Sequence, residues 1–248
     1  MRVFLLDSGT MMIDRSQLLW NVDCGQRLRF PIYSVLVEHD DGLFLFDTGF
    51  DLEHVSRVFP GELPLQSEAQ GIVQQLALCG FAPGDVSYVV NSHLHFDHVG
   101  GNRHFPDATT LVSKAELRQA KVPETFEHYA YSDQSFDHPG VVYELLEGDV
   151  ELAAGLRLLE TPGHSAGHYS LLVEPPSGQA LLFAFDAAYA HESLERLIPS
   201  GFHLDPTAAV RSLRRLSKIA RAHDARIYVA HDMAAFNDYS LAPAGARL

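Results

Sequence analysis

Three histidines and an aspartate stand within six positions of the sequence, in the segment His93-Leu94-His95-Phe96-Asp97-His98. Imidazole nitrogens and carboxylate oxygens are the usual donors to Zn²⁺ and similar divalent ions, at about 2.0–2.2 Å. A single histidine is more often a surface or a packed residue, but no packing requirement explains four donors this close together. Gly100 and Gly101 follow and provide a backbone that can fold tightly around an ion. The segment therefore predicts a metal site.

Further candidate donors occur later in the sequence, and each of them follows a predicted strand. His164 stands in a Thr-Pro-Gly-His loop, Asp186 follows an apolar run, and His231 follows the last apolar run. Strand ends converge at one edge of a layered sheet fold, so donors that are distant in sequence can meet there. The full set of candidate donors is His93, His95, Asp97, His98, His164, Asp186 and His231. Because these seven exceed what one four- or five-coordinate ion can use, we predict two divalent ions, zinc being favoured, bridged by a carboxylate.

Composition and charge exclude several classes of protein. The 248 residues suit one large domain or two small ones, and since no linker is evident we predict a single domain over residues 1–248. Hydrophobic residues make up 46%, which indicates a globular chain. Lys and Arg number 18 against 32 Asp and Glu, and the net charge of −14 repels nucleic-acid phosphates and anionic membranes. We therefore expect neither nucleic acid nor a membrane as a partner.

The cysteines and the N-terminus indicate the compartment. Cys24 and Cys79 do not make a disulfide framework. Only the four apolar residues 3–6 stand between Arg2 and Asp7, which is too short for the core of a signal peptide. No apolar run approaches the ~20 residues that span a membrane. We expect a soluble, cytoplasmic protein.

The elements that must position the donors alternate between strands and helices. Apolar runs predict strands at residues 3–6, 86–90, 109–112, 141–146, 156–159 and 226–230. Helical spacing predicts helices near residues 69–79, 114–120 and 206–222, the last one with Asp205 as its N-cap and Pro206 at its first position. Residues 51–66 are predicted to form a loop. Residues 121–140 are predicted to form a long irregular segment of the kind that often serves as a lid.

Two predicted hairpins resemble each other in sequence. Residues 33–38 (Tyr-Ser-Val-Leu-Val-Glu) resemble residues 169–174 (Tyr-Ser-Leu-Leu-Val-Glu), and each is followed by a Phe-x-Phe-Asp sequence, at residues 44–47 and 183–186. The similarity suggests two β-sheets of like construction packed together, with coincidence among strand-forming residues as the alternative. We predict an α/β fold with sheets inside and helices outside.

The His-x-His-x-Asp-His motif, the Thr-Pro-Gly-His loop, an aspartate and a late histidine together resemble the metallo-β-lactamase-fold hydrolases. The resemblance covers essentially the whole chain, including residues 47–49 (Asp-Thr-Gly). It implies an αβ/βα sandwich of two packed mixed β-sheets flanked by helices. It also implies a ligand set: one ion held by His93, His95 and His164, a second held by Asp97, His98 and His231, a bridging Asp186, and Asp47 orienting the ligands from behind.

Within this fold the sequence is similar to the lactonase branch, where His-Leu-His-Phe-Asp-His and Asp-Ala-Ser-Tyr occur. The second motif reads Asp186-Ala187-Ala188-Tyr189 here. β-Lactamases usually lack the bridging aspartate, and RNA-processing members would show a basic face. Glyoxalase II-like thioesterases carry an extra helical C-terminal region and are a weaker alternative. Two other classes stay open. A non-catalytic scaffold would have lost ligands, and turnover of a lactone separates it from an enzyme. A redox member would bind iron, and metal analysis separates iron from zinc.

Finer similarity points to the 4-pyridoxolactonases of vitamin B6 breakdown. The similar stretches are residues 29–34, 131–136, 167–174 and 202–206, although the segment between Leu146 and Asp149 looks shorter than in that pattern. We therefore expect 4-pyridoxolactone as the substrate and N-acyl homoserine lactones, the substrates of quorum quenching, as the alternative. A long acyl chain would need an extended aliphatic groove, and no stretch outside the predicted core runs suggests one.

The two predicted ions imply a mechanism for opening a lactone. A hydroxide held by the ions would attack the carbonyl, the Tyr189 hydroxyl would stabilise the oxyanion, and Asp97 would return a proton to the leaving alkoxide. Phe96, Tyr189 and His203 are the predicted substrate pocket, and His168 is expected to support the site rather than bind an ion. The expected partner is a small-molecule lactone, and a homodimer is left open.

Overall fold

Apolar runs rich in Val, Leu, Ile and Phe form the strands of two β-sheets. The computed structural model describes residues 1–244 and 246–247 of the chain. The described strands are β1 (Arg2–Asp14), β2 (Arg27–His39), β3 (Gly42–Phe46), β4 (Tyr88–Val90), β5 (Thr109–Ser113), β6 (Tyr143–Leu146), β7 (Val150–Ala153), β8 (Leu156–Glu160), β9 (Tyr169–Val173), β10 (Leu181–Phe183), β11 (Arg226–Tyr228) and β12 (Ala246–Arg247).

Helices connect the strands and cover the sheets. The described helices are α1 (Arg15–Leu18), α2 (Leu52–Val58), α3 (Ile72–Leu78), α4 (Phe96–Val99), α5 (Lys114–Lys121), α6 (Asp133–Phe136), α7 (His191–Arg196), α8 (Pro206–Ala222) and α9 (Met233–Asn237). As predicted, the Asp205 side chain caps α8 by accepting hydrogen bonds from the backbone N–H groups of Thr207 and Ala208. Among the described residues, no helix is long and apolar enough to cross a membrane.

Both sheets are mixed. The larger sheet has the order β12-β1-β2-β3-β4-β5-β6, and the smaller sheet has the order β11-β10-β9-β8-β7. In the larger sheet β3, β4, β5 and β6 run parallel, whereas β1, β2 and β3 pair antiparallel. In the smaller sheet only the β10–β11 pair is parallel. The seven candidate donors follow the carboxyl ends of β4, β8, β10 and β11, and Asp47 follows β3.

The core lies between the two sheets. Inward-facing residues of β2 and β3, such as Val35 and Phe46, share one cluster with Leu158, Leu171 and Phe183 of the smaller sheet. The outer face of the larger sheet packs against α3, and the outer face of the smaller sheet packs against α8. This arrangement confirms the predicted αβ/βα sandwich.

The two similar hairpins lie in different sheets, as the repeated sequence suggested. The first is the β2–β3 pair, in which His39 lies opposite Gly42, and the second is the β9–β10 pair, in which Val173 lies opposite Leu181. Each hairpin is followed in its sheet by a parallel strand, β4 in one case and β11 in the other. The two sheets thus share a hairpin followed by a parallel strand.

The structure differs from the predicted elements in several places. Residues 121–140, predicted as irregular, contain α6 because Ser132 to Phe136 close a short helical turn. The first strand does not stop at Leu6 but continues to Asp14, because Gly9 at φ +99° allows an irregularity after which pairing with β2 resumes. Residues 51–66, predicted as loop, contain α2, which Asp51 caps by accepting from the His54 N–H. Strand β7 was missed because its half-exposed sequence has no apolar run.

Candidate metal centre

The donor residues lie beyond the carboxyl ends of the strands, Asp97 and His98 in the short helix α4 and the others in loops and turns. His93 follows β4, and α4 begins directly after His95. Asp186 lies in a 3-10 turn over residues 185–187 after β10, where Phe185 has a left-handed φ of 45°. His164 lies between β8 and β9 in a loop that passes so close to α8 that a Cβ on Gly163 would stand 2.1 Å from the Ala209 nitrogen. Only glycine fits there, which explains the Thr-Pro-Gly-His sequence.

Three buried histidines form the first donor cluster. His164 Nε2 lies 3.2 Å from His93 Nε2 and 2.9 Å from His95 Nδ1. Two donors at about 2.0–2.1 Å from one tetrahedral ion are roughly 3.3 Å apart, so these separations suit three ligands of a single ion. The first cluster contains the three residues that the resemblance assigned to one ion.

The second donor cluster contains Asp97, His98, Asp186 and His231. The Asp186 carboxylate connects the two clusters, because its Oδ1 lies 3.1 Å from His98 Nε2 and 3.3 Å from His231 Nε2, while its Oδ2 lies 3.3 Å from His164 Nε2. Asp97 Oδ2 lies 3.6 Å from His98 Nε2. One carboxylate oxygen thus faces each cluster, which is the arrangement of a bridging ligand.

The donor set fits two divalent ions. His98 Nε2 and Asp186 Oδ1 are buried and make no hydrogen bond to the described residues, although they lie 3.1 Å apart. Buried polar atoms without partners are costly and rare in folded proteins. Nitrogen and oxygen donors of this kind, with neutral imidazoles and carboxylates, are those that zinc prefers. All seven residues predicted from sequence therefore lie in two clusters with the geometry of two metal sites.

Polar groups behind the donors hold the rings in place. Asp47 Oδ2 lies 2.7 Å from His98 Nδ1, and the same carboxylate accepts hydrogen bonds from the backbone N–H and the hydroxyl of Ser92. His164 Nδ1 lies 2.8 Å from the Phe202 carbonyl, and His231 Nδ1 lies 2.9 Å from the Pro31 carbonyl. These contacts leave the other ring nitrogen free to face an ion, as metal-binding histidines require.

Burial and charge act differently on the two clusters. Burial lowers the pKa of His93, His95 and His164, so these imidazoles stay neutral, the form that binds a metal. Burial acts in the same direction on His98, but the nearby carboxylates, Asp186 first, outweigh it and raise the pKa well above its usual value. The second cluster is therefore the more negative environment and favours a cation.

A largely apolar cavity opens onto the second cluster. Its lining residues are Met11, Ile13, Phe30, Glu62, His95, Phe96, Asp97, Tyr129, Ala130, Tyr189, Phe202 and His231. Phe96 and Tyr189 thus lie where the sequence predicted a pocket. His203 lies instead in a neighbouring cavity, because its ring packs edge-on against Trp20 at 4.5 Å. His168 is buried outside both clusters, with Nδ1 2.8 Å from the Thr161 hydroxyl.

The segment predicted as a lid lies against this site. Tyr129 and Ala130 line the cavity, and Tyr131 pairs with His95 through an isolated β-bridge, with ring centroids 4.9 Å apart. Phe126 is 61% exposed at the mouth of the neighbouring cavity. That this segment moves stays a prediction.

Two carboxylates near the site were not singled out from the sequence. Glu116 of α5 is fully buried and accepts hydrogen bonds from the backbone N–H groups of Leu94 and Gly167, both 3.0 Å, and from the Ser165 hydroxyl at 2.6 Å. It thereby joins the loop of His93 and His95 to the loop of His164. A charged residue on the inner face of a predicted helix was the available signal. Glu62 lies in the cavity wall, and no sequence signal pointed to it.

Comparisons with known proteins agree with this geometry. The family model described as the metallo-beta-lactamase superfamily matches residues 27–240. The N-acyl homoserine lactonase AttM of Rhizobium radiobacter is 34% identical over 255 residues, covering 98% of this chain and 97% of that protein. An N-acyl homoserine lactonase of Bacillus cereus is 33% identical over 241 residues, covering 94% and 93%.

A similar solved structure is that of an N-acyl homoserine lactone hydrolase with the product N-hexanoyl-L-homoserine bound at its catalytic metal centre. It has a TM-score of 0.89 and 30% sequence identity, and the match covers 99% of this chain and 98% of that chain. These relatives do not support the finer likeness to 4-pyridoxolactonases and favour the alternative instead. With a superfamily model matched over most of its length and lactonase relatives aligned almost end to end, the chain belongs to the lactonase family of the metallo-β-lactamase superfamily.

Proposed function

We propose that the protein opens the ring of N-acyl homoserine lactones by hydrolysis. The observation that carries the proposal is the pair of donor clusters that share Asp186 and open, through Asp97 and His231, into an apolar cavity also lined by Tyr189. The relatives named as N-acyl homoserine lactonases support this substrate class over 4-pyridoxolactone.

The two clusters have separate parts in this proposal. His93, His95 and His164 would hold one ion, and Asp97, His98 and His231 would hold the other, with Asp186 shared between them. When bound, two divalent ions supply the Lewis acidity that polarises a carbonyl and activates water.

Tyr189 and Asp97 are the side chains that act on the substrate. Tyr189 lines the cavity, and its ring packs edge-on against His231 at 4.5 Å. Burial, followed by the charges of Asp186 and Asp97, raises the Tyr189 pKa well above its usual value. The hydroxyl therefore keeps its proton and donates a hydrogen bond to the lactone oxygen as negative charge develops there.

Asp97 is the carboxylate of the second cluster that reaches the cavity. Its side chain is 12% exposed, whereas that of Asp186 is 1% exposed. A carboxylate at the cavity wall can take up a proton and deliver it to the leaving alkoxide. The proposed roles of the two carboxylates therefore differ. Asp186 would be a ligand shared by both ions, and Asp97 would transfer the proton to the leaving alkoxide.

The apolar wall of the cavity suits an acyl chain. Met11 and Ile13 of β1 and Phe30 of β2 form one side of the cavity. Sequence reasoning placed no aliphatic groove outside the core because it ended the first strand at Leu6. Each CH₂ group buried against such a wall contributes about 0.8 kcal/mol to binding.

The proposal is tested by ring opening of N-hexanoyl-homoserine lactone with protein purified without chelator. We expect about two divalent ions per chain by elemental analysis and formation of N-hexanoyl-homoserine by mass spectrometry. His93→Ala should abolish turnover, whereas His223→Ala, at the end of α8 beside Glu174, should leave it unchanged. Failure of zinc-loaded protein to open this lactone would overturn the proposal.

A flat aromatic lactone is the second candidate substrate, and one observation favours it. The rings of Phe96, Tyr129 and Phe202 line the same cavity and could stack on a pyridine ring. Measuring kcat/KM for 4-pyridoxolactone in the same preparation decides between the two. We expect the homoserine lactone to be preferred by at least tenfold, about 1.4 kcal/mol. The reverse preference would reinstate the aromatic substrate.

A further inference from the structure

Glu62 is a carboxylate in the cavity wall that belongs to neither donor cluster. It ends the 3-10 turn Pro60–Glu62, is half-buried, and its side chain makes no hydrogen bond to the described residues. Most of the lining is apolar, and His95, Asp97, His231 and Tyr189 already have parts in the proposed reaction. The lining polar side chains that remain are those of Glu62 and Tyr129.

The backbone on both sides of Glu62 is anchored to the paired strands β1 and β2. The Arg27 guanidinium donates a hydrogen bond to the Gly61 carbonyl, and Arg29 Nη1 donates one to the Leu63 carbonyl at 3.2 Å. Two residues further on, Leu65 and Thr10 exchange two backbone hydrogen bonds, both 2.8 Å. The turn that carries Glu62 is thus attached to the two strands that supply the apolar wall of the cavity.

The surroundings of Glu62 leave its oxygens in need of a donor. Burial, followed by the negative charge of Asp97, raises the pKa of its carboxyl to about 7, against the opposing charges of Arg27 and His231. Neither of these two side chains donates a hydrogen bond to it. Burial, followed by the charge of Glu62, raises the pKa of Tyr129, and both side chains line the cavity together with Asp97 and His231 of the second donor cluster. A partly desolvated acceptor gains most from a ligand N–H or O–H that replaces its lost water.

We propose that the Glu62 carboxylate accepts a hydrogen bond from the amide N–H of an N-acyl homoserine lactone and thereby selects lactones with an N–H donor beside the ring. The inference rests on the proposed function. In such a substrate the amide nitrogen is one carbon away from the reacting carbonyl, so the group that recognises it must lie beside the metal clusters. Glu62 meets that condition, and pockets of this kind fix orientation with a few polar groups in an apolar lining.

The test compares two substrates and three variants. The substrates are N-hexanoyl-homoserine lactone and α-hexyl-γ-butyrolactone, which has the same ring but no amide. Glu62→Leu should lower kcat/KM for the homoserine lactone by about 10–100-fold, as expected for a hydrogen bond to a charged group, and change it less than about threefold for the alkyl lactone. Glu62→Gln keeps an acceptor oxygen and should retain most of the activity. Glu53→Leu, which removes an exposed carboxylate from α2, is the matched control and should change neither value.

Binding and an N-methylated substrate separate this role from a structural one. The dissociation constant of N-hexanoyl-homoserine, measured by calorimetry, should rise in Glu62→Leu while metal content and melting temperature stay unchanged. Wild-type protein should lose about 10–100-fold in kcat/KM on the N-methyl amide analogue, a loss that needs no variant to fold.

Each outcome has a distinct meaning. Wild-type protein that opens the alkyl lactone but no homoserine lactone would contradict the proposed function. If the wild-type protein opens the homoserine lactone but Glu62→Leu keeps its full kcat/KM, only the role of Glu62 is overturned. The same holds if Glu62→Leu loses kcat/KM equally on both substrates. Equal turnover of the N–H and N-methyl substrates by the wild type would do the same.

Discussion

The two sheets contain the same unit, an antiparallel hairpin followed by a parallel third strand. The unit of the larger sheet is β2-β3-β4, and that of the smaller sheet is β9-β10-β11. In each unit a histidine stands three residues beyond the third strand, His93 in the first and His231 in the second. Each of these histidines belongs to a different donor cluster. Equivalent strand ends therefore deliver equivalent donors.

The units differ in their carboxylates. The Asp47 N–H donates to the last carbonyl of β4 at 3.0 Å, just as the Ala184 N–H donates to the last carbonyl of β11 at 2.9 Å. Asp47 therefore occupies the position of Ala184, and Asp186 stands two residues further along. Asp47 stays behind His98, whereas Asp186 reaches both clusters. A difference of two residues in position along the chain therefore decides the role of the carboxylate. Asp47 supports one ligand, whereas Asp186 is shared by both clusters.

The largest expected effect comes from removing the shared carboxylate. Asp186→Asn takes away a negative charge that lies against three histidines, so we expect metal content to fall from about two ions per chain toward one. Turnover should fall by more than about 100-fold, beyond what groups behind the ligands usually cost. Elemental analysis and kcat measure the two effects, with Asp40→Asn in an exposed turn as control. Two ions and near-normal turnover would show that Asp186 is not shared.

Tyr189→Phe gives both units the same side chain at one offset from their aspartates. Counted from the aspartate and not from the strand pairing, Tyr189 stands three residues after Asp186 and Phe50 three residues after Asp47, and both lie in one apolar cluster. Because the lost hydroxyl acts only on the transition state, kcat should fall by about 10²–10³ while metal content stays constant. An unchanged kcat would leave Tyr189 a packing residue.

Asp47→Asn tests the supporting carboxylate and should have a smaller effect than Asp186→Asn. The carboxylate accepts from the Ser92 N–H at Oδ1 and from the Ser92 hydroxyl at Oδ2, which also faces His98 Nδ1, whereas an amide has only one acceptor oxygen and must lose one side. We expect about a 10–100-fold loss in metal affinity or activity. Zinc titration with a competing chelator measures the affinity. A loss as large as that of Asp186→Asn would contradict the difference drawn between the two units.

Glu116→Gln tests the connection between the loops of the first donor cluster. The variant keeps only one acceptor oxygen, so in either orientation its NH₂ group faces a backbone N–H that the carboxylate accepts from, that of Leu94 or that of Gly167. We expect about a tenfold loss, at the lower end of the range for groups that orient ligands. Zinc affinity should weaken and KM stay constant. A raised KM with unchanged zinc affinity would assign Glu116 to the substrate side.

Gly49→Ala should change turnover least, because its expected effect is on the stability of the fold. Gly49 follows Asp47 by two residues at φ +69°, and a Cβ there would lie 2.6 Å from the Ser8 hydroxyl. Ala188, which follows Asp186 by two residues, has an extended backbone. We expect a loss of about 1–3 kcal/mol in the free energy of unfolding, measured with urea. Ala188→Gly should cost less, and a reversed order would contradict the backbone difference.

The donors and most elements were predictable because their signals are local. Four donors in six residues, a Thr-Pro-Gly-His loop and an aspartate cap on α8 can be recognised within a short window of sequence. The extension of β1 to Asp14 depends on pairing with β2, and so its contribution to the cavity wall was missed. Glu62 and Glu116 acquire their roles from contacts with distant loops. The substrate was predicted from short similar stretches, whereas the relatives that span the whole chain favour the alternative.

The clusters also have a consequence for the order of folding. Donors of the second cluster range from Asp97 to His231 and come from loops of both sheets. Because the unfolded chain brings few of these donors together, a divalent ion binds tightly only after the sheets have met. Contacts this distant in sequence also make folding slow. We therefore expect zinc to slow unfolding far more than it accelerates refolding, so that the ions protect a finished fold and do not nucleate it.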